Sequence, residues 1–119
     1  MHELSTVIRI VNTALSALEH ETRRPKAVSV GIGEMTDILP EYVRKYYIEA
    51  VKDTVLEGTQ LHIEMIPAKA HCDGCGNDFH PCRENDYLCP ECKGSVCHIT
   101  EGRTTRLINI ELEDKDGHY

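Results

Sequence analysis

At 119 residues the chain has room for one modest domain, or for a small core with a stapled appendage, and none for a large enzyme. Thirteen Lys and Arg stand against 20 Asp and Glu, a formal charge of −7, which disfavours a sequence-independent phosphate footprint on nucleic acid and favours a cationic metal or a basic protein surface. Trp is absent and Phe79 is the only phenylalanine, so the core falls to aliphatic side chains and five tyrosines.

No apolar run approaches the roughly 18 residues of a membrane span, and the amino terminus lacks the basic-then-apolar layout of a signal peptide. The expectation is a soluble, cytoplasmic protein. Thiols stay reduced there, so six cysteines confined to one stretch point to metal before disulfide.

The chain opens Met-His-Glu-Leu, placing an α-amine, an imidazole and a carboxylate within three residues. The Met1 amine, two deprotonatable backbone amides and the His2 ring can set nitrogen donors in a plane around a metal. That arrangement suits Ni²⁺ or Cu²⁺ and suits Zn²⁺ poorly. The plain alternatives are a solvated end residue at His2 and, at Glu3, a carboxylate that complements a helix dipole.

From residue 4 to residue 18 the apolar side chains Leu4, Val7, Ile8, Val11, Ala14, Leu15 and Leu18 fall on one helical face. Residues 19–26, polar and broken by Pro25, read as a loop. Val28, Val30 and Ile32 alternate with Ser29 and Gly31, a strand with one buried face. After a turn over residues 33–37, Pro40 suits the first turn of a second helix. Val43, Tyr46 or Tyr47, Ala50 and Val51 line that helix, and Gly58 is expected to end it. Leu61, Ile63 and Met65 form a second inward-facing set on a strand that Pro67 stops. Much later Ile108, Ile110 and Leu112 repeat the pattern. The order helix, strand, helix, strand, insertion, strand predicts an α+β fold, two helices packed on a small three-stranded sheet.

The insertion, residues 70–103, holds all six cysteines but only Phe79, Tyr87, Leu88, Val96 and Ile99 as larger apolar residues. So little apolar area cannot order thirty-odd residues by burial, and something must staple them. Cys72-Asp-Gly-Cys75 and Cys89-Pro-Glu-Cys92 supply the staple. Two residues between thiolates let a tight turn aim both sulfurs at one ion, and two such turns complete a tetrahedron. Gly76 and Gly94 permit backbone geometries that bring amide N–H groups toward the sulfurs. Four cysteines leave no position for water, so a structural Zn²⁺ is expected, and it would make the charge two units more negative. A redox dithiol and a four-sulfur iron centre are the competing uses of the same residues. Cys82, Cys97, His71, His80 and His98 remain, and one of the two spare thiols is a candidate for exchange into the metal shell.

Taken together, the initial Met-His-Glu, the Val-Gly-Ile-Gly-Glu34 strand end, Pro40-Glu41, Glu57-Gly58 and the paired cysteines followed by Gly102 resemble the HypA/HybF family of nickel-incorporation proteins for hydrogenase and urease. The resemblance covers about residues 1–113. It implies a metallochaperone with an α+β nickel-binding domain (1–69 plus 104–113) and a zinc-binding, ribbon-like domain (70–103), and the charged residues beyond it, 114–119, read as a flexible tail. It further implies Ni²⁺ held transiently by Met1, His2 and Glu3, and Zn²⁺ held by Cys72, Cys75, Cys89 and Cys92. Its partners would be a nickel-handling GTPase and the hydrogenase large subunit or its maturation complex, with the chain acting as monomer or homodimer. Two features depart from the family: Cys82 and Cys97 are extra, and Asn77 and Lys93 stand where some members have histidine.

Other signals are weaker. Gly31-Ile-Gly33 is a fragment of a dinucleotide fingerprint, with Thr36 where a small residue is needed, and Arg23-Arg24-Pro25-Lys26 reads as a solvated loop. No nucleophile, base and orienting acid can be placed together, so no enzyme is expected. The rival reading is a zinc-ribbon module that binds a protein or nucleic acid. The acidic insertion, with Asp73, Asp78, Glu84, Asp86, Glu91 and Glu101 against Arg83, Lys93 and Arg103, speaks against its nucleic-acid form.

Overall fold

The computed structural model describes residues 2–114, with His2 described by its backbone alone. The Met1 amine, the His2 ring and residues 115–119 of the expected tail therefore lie outside the described residues. The chain divides into two compact units. The first comprises Met1–Gly31, Asp37–Glu64 and Thr105–Tyr119, and the second Ile32–Thr36 and Met65–Thr104.

Helix α1 spans His2–Ala17. Its buried face is Val7, Ile10, Val11 and Ala14, whereas Leu4 and Ile8 are exposed. Positions 7, 10, 11 and 14 keep the three-and-four spacing of one helical face, and Ile8 lies off it, so Ile10 replaces Ile8 in the expected stripe. The Arg9 guanidinium donates to Thr105 O at 2.8 Å, which ties the polar edge of α1 to the last strand.

Strand β1 (Pro25–Gly33) is the middle strand of a three-stranded sheet in the order β2-β1-β6, where β2 is Gln60–Ile66 and β6 is Thr105–Leu112. Glu113 N–H bonds Arg24 O and Gly33 N–H bonds Thr104 O, so β6 runs antiparallel to β1. Ala27, Val28, Val30 and Ile32 are all buried, and Gly31 with them, because a central strand is covered on both faces; the single buried face read from alternation understates it.

The edge strands are less enclosed. Leu61 and Ile63 are half-buried but Met65 is exposed, contrary to expectation. On β6, Thr105 is buried and Leu107 half-buried, then the phase slips so that Ile110 and Leu112 are half-buried and Ile108 is exposed. A slip of one residue turns a strand's side chains to the opposite face, and strict alternation could not foresee it.

Helix α2 runs Pro40–Ala50 and buries Val43 and Tyr47. It ends eight residues before Gly58. The Thr54 hydroxyl bonds Val51 O at 2.6 Å and Asp53 takes a left-handed φ of 64°, so local side-chain and backbone bonds draw the chain into turns instead. Leu56, fully buried, anchors this irregular stretch. The Tyr47 hydroxyl pairs with the Thr59 hydroxyl at 2.6 Å.

The second unit contains a sheet that the spacing of apolar residues does not reveal. Strands β3 (Lys69–Cys72), β4 (Asp78–Phe79) and β5 (Cys97–Glu101) lie in the order β4-β3-β5, all antiparallel. Its core is Ala70, Cys72, Phe79 and Cys89, with Cys97 and Ile99 against it. Tyr87 and Val96 are exposed and take no part. The segment 32–36 is bound in by close backbone approach. A Cβ on Gly33 would stand 2.4 Å from Gly102 O, a distance real Cβ atoms do not reach. Glu34 adds a side-chain clamp, accepting from Ala68 N–H at 2.7 Å and from His80 Nε2 at 2.9 Å.

Candidate metal centre

The four cysteines of the two Cys-x2-Cys pairs converge. Among the described residues, Cys72, Cys75, Cys89 and Cys92 are the only group of three or more potential ligands whose donor atoms all lie within 4.8 Å of one another. Cys72 Sγ and Cys92 Sγ are 3.6 Å apart, as are Cys75 Sγ and Cys89 Sγ. A tetrahedron with metal–sulfur bonds of about 2.3 Å has edges of about 3.8 Å, so the cage has the size the chemistry requires. Cys72 and Cys89, the first cysteine of each pair, are buried, and Cys75 and Cys92 are exposed.

Each pair is built by the same turn. Gly76 N–H bonds Cys72 O at 2.8 Å, and Lys93 N–H bonds Cys89 O at 2.7 Å. Both donors sit one residue beyond their second cysteine with φ in the left-handed region, 80° at Gly76 and 59° at Lys93. Glycine adopts that conformation freely and lysine does not, so Lys93 rather than Gly94 is the strained member of the second turn. The sequence shows Gly76 as the turn residue but hides its counterpart behind a long polar side chain.

The turns direct amide protons at sulfur. Cys72 Sγ accepts from the Cys75 and Gly74 N–H groups, Cys89 Sγ from those of Cys92 and Glu91, Cys75 Sγ from Asn77 and Cys92 Sγ from Gly94. The Asn77 side-chain amide adds a longer contact to Cys89 Sγ at 3.7 Å. Asn77 thus serves as a donor to sulfur through both its backbone and its side chain.

These donors divide the four thiols. The Cys92 and Glu91 amides outweigh burial and hold Cys89 down at about 6. The Asn77 amide favours the Cys75 thiolate too, but the neighbouring Cys89, Cys72 and Cys92 sulfurs and desolvation prevail and push Cys75 up to about 12. Four thiolates at this separation cannot coexist without a cation among them, so the cage keeps protons that a metal would displace. A divalent, sulfur-preferring ion with tetrahedral habit fits the donor set.

Of the two spare thiols, Cys97 faces Cys72 directly across the β3–β5 pair, and its Sγ lies 3.7 Å from Gly94 O. Burial, then the adjacent Cys72 and Cys89 sulfurs, push its thiol up. Cys82 precedes a short 3₁₀ turn, Arg83–Asn85, as its N-cap, and its N–H donates to Asn85 Oδ1 at 3.3 Å. Neither belongs to the four-sulfur group. His80 is engaged by Glu34, His71 by Asp78 and His98 by Asp73. The His71 bond is the first reason that the Asp78 carboxyl sits below its ordinary range.

At the other end of the chain the structure places Glu3 alone of the predicted nickel residues. Its carboxylate accepts from Leu39 N–H at 3.1 Å. Leu39 is the N-cap of α2, has no capping side chain of its own and precedes Pro40, so Glu3 supplies from α1 what a capping box would supply from within the helix. This role goes beyond complementing the dipole of its own helix, and no local pattern around Leu39 could have announced it.

A small α+β unit, together with a cysteine cage that leaves no open coordination position, defines a metal-handling protein. The HypA family model, described as hydrogenase/urease nickel incorporation, metallochaperone, matches residues 1–112. The chain is 31% identical over 116 residues to the hydrogenase maturation factor HypA of Dehalococcoides mccartyi strain CBDB1, covering 97% of each. It is 33% identical over 125 residues to that of Methanothermobacter thermautotrophicus, covering 98% of this chain and all of the relative. The solution structure of the Ni metallochaperone HypA from Helicobacter pylori superposes with a TM-score of 0.73 at 21% identity, covering 92% of this chain and 96% of that one. The chain belongs to the HypA family, whose members are maturation factors and not catalysts. No helix among the described residues is long and apolar enough to cross a membrane.

Proposed function

We propose that the chain is a nickel metallochaperone for the maturation of [NiFe]-hydrogenase, with urease as a second class of client. Ni²⁺ is its cargo, carried by the Met1 amine, the His2 ring and the His2 and Glu3 amides, while Cys72, Cys75, Cys89 and Cys92 hold Zn²⁺ as a fixture. The observation that carries this reading is the family match itself, which begins at residue 1 and so takes in both the nitrogen-rich terminus and the four cysteines. The cage supports the zinc assignment by its size and its amide donors. Bound zinc would neutralise the thiolates and cross-link the two turns. The bond from Leu39 N–H to the Glu3 carboxylate supports a nickel donor set made of nitrogens.

The division of labour follows from donor chemistry. Four sulfurs in a preformed cage retain their ion, whereas an amine and two amides must lose protons to bind and regain them to release. Affinity at the terminus is therefore modest near neutral pH and rises with pH, which suits a carrier. The receiving partners are a nickel-handling GTPase and the hydrogenase large subunit or its maturation complex, in the cytoplasm, with the chain as monomer or homodimer.

His2→Ala should remove the first equivalent of Ni²⁺ in calorimetry and leave zinc content and the amide spectrum unchanged. One residue added before Met1 should weaken the same equivalent at least tenfold. Nickel uptake by His2→Ala matching that of the wild type would refute the terminal site.

A further inference from the structure

His71 and His98 are cross-strand partners in the β3–β5 ladder, so their side chains leave the same face of the sheet. Their ring centroids are 5.6 Å apart with planes tilted by 56°. Each ring is held through its Nδ1 by a carboxylate on a different segment. Asp78 Oδ1 lies 2.7 Å from His71 Nδ1, and Asp73 Oδ2 lies 3.1 Å from His98 Nδ1. An ionised carboxylate only accepts, so in both rings Nδ1 carries the proton and the neutral form presents its lone pair at Nε2. A carboxylate on one nitrogen of an imidazole whose other nitrogen is free is the arrangement that orients histidine as a metal ligand. Both rings are substantially exposed, His98 more than His71.

The geometry points to a second metal site on this unit, in which Nε2 of His71 and Nε2 of His98 chelate one divalent first-row ion, with water completing its shell. The separation fits. An ion about 2.1 Å from each Nε2 lies about 3.2 Å from each centroid, so two rings on one ion have centroids about 4.5–6.4 Å apart for ligand angles between about 90° and 180°. Two carboxylates within reach of the rings lower the cost of placing a dication there. Imidazole pairs take Ni²⁺, Cu²⁺ or Zn²⁺. The site is open, uses no cage sulfur and is independent of the amino-terminal reading.

The test uses the full zinc-loaded chain carrying His2→Ala, titrated with Ni²⁺ alone while the imidazole carbon–proton signals are followed by NMR. His20, His62 and His80 serve as single-ring references in the same spectrum. The His71 and His98 signals should broaden together at Ni²⁺ concentrations at least tenfold below those that affect His20 and His62. In the added variant His98→Gln the His71 signal should fall into line with the references, and His71→Gln should do the same to His98. Broadening of His71 and His98 no earlier than the references, or early broadening of His71 that survives His98→Gln, would overturn the proposal. Because His2 is absent throughout, neither result depends on whether the terminus carries nickel.

Discussion

The unit containing α1 and α2 encloses Val7, Ile10, Val28, Val30, Val43 and Leu56, a core of branched aliphatic side chains supplied by two helices and a central strand. In the unit carrying the cysteines the buried cluster is Ala70, Cys72, Phe79 and Cys89, and two of its four members are thiols. The first unit is held by removal of apolar surface from water. The second has too little such surface and is held by backbone clamps, by Glu34 and by whatever joins its sulfurs. Two neighbouring stretches of one chain thus rely on different physics, and they should fail under different insults.

The largest expected effect is on the sulfur-bearing unit. Stripping the metal from the cysteine cage with a chelator, or making Cys89→Ser, should erase the amide signals of β3, β4 and β5 while those of α1 and β1 persist. A spectrum that lost both sets together would show the units to be one cooperative whole. Leu56→Ala attacks the other unit. It should cost about 2–5 kcal/mol in denaturant unfolding of the aliphatic core, with zinc content unchanged.

The smallest effect is electrostatic. The Ala68 N–H first, and then the His80 ring, hold the Glu34 carboxyl below its ordinary value of 4.5. A carboxyl depressed in the folded state stabilises above its unfolded pKa, and that contribution is lost as pH falls through the lower folded value. Wild type should therefore exceed Glu34→Gln in stability near neutral pH. The gap, read from urea midpoints of the second unit at equal zinc, should narrow below about pH 4.5. A gap independent of pH would mean that the Ala68 bond alone, and not the charge, matters.

Elements defined by long apolar periodicity were legible in the sequence. The two helices, β1 and the α+β class needed only the spacing of Val, Ile and Leu, and the four metal-binding candidates needed only two Cys-x2-Cys pairs. Features set by one residue's backbone or by distant partners were not. Helix α2 stops early because of Thr54 and Asp53, β6 slips phase between Leu107 and Ile110, and Lys93 takes a turn position that glycine would have advertised. The β3–β5 pair escaped because its inward residues are Ala70, Cys72, Cys97 and Ile99, half of them thiols that read as ligands before they read as core. Glu3 and Glu34 reach partners 36 and 34 residues away, beyond any local pattern.

The account rests on two metals kept apart by donor type. X-ray absorption at the nickel and zinc edges of one doubly loaded sample tests it directly. Four sulfurs around zinc, with only nitrogen and oxygen around nickel, is the expected outcome. Sulfur in the nickel shell would contradict it.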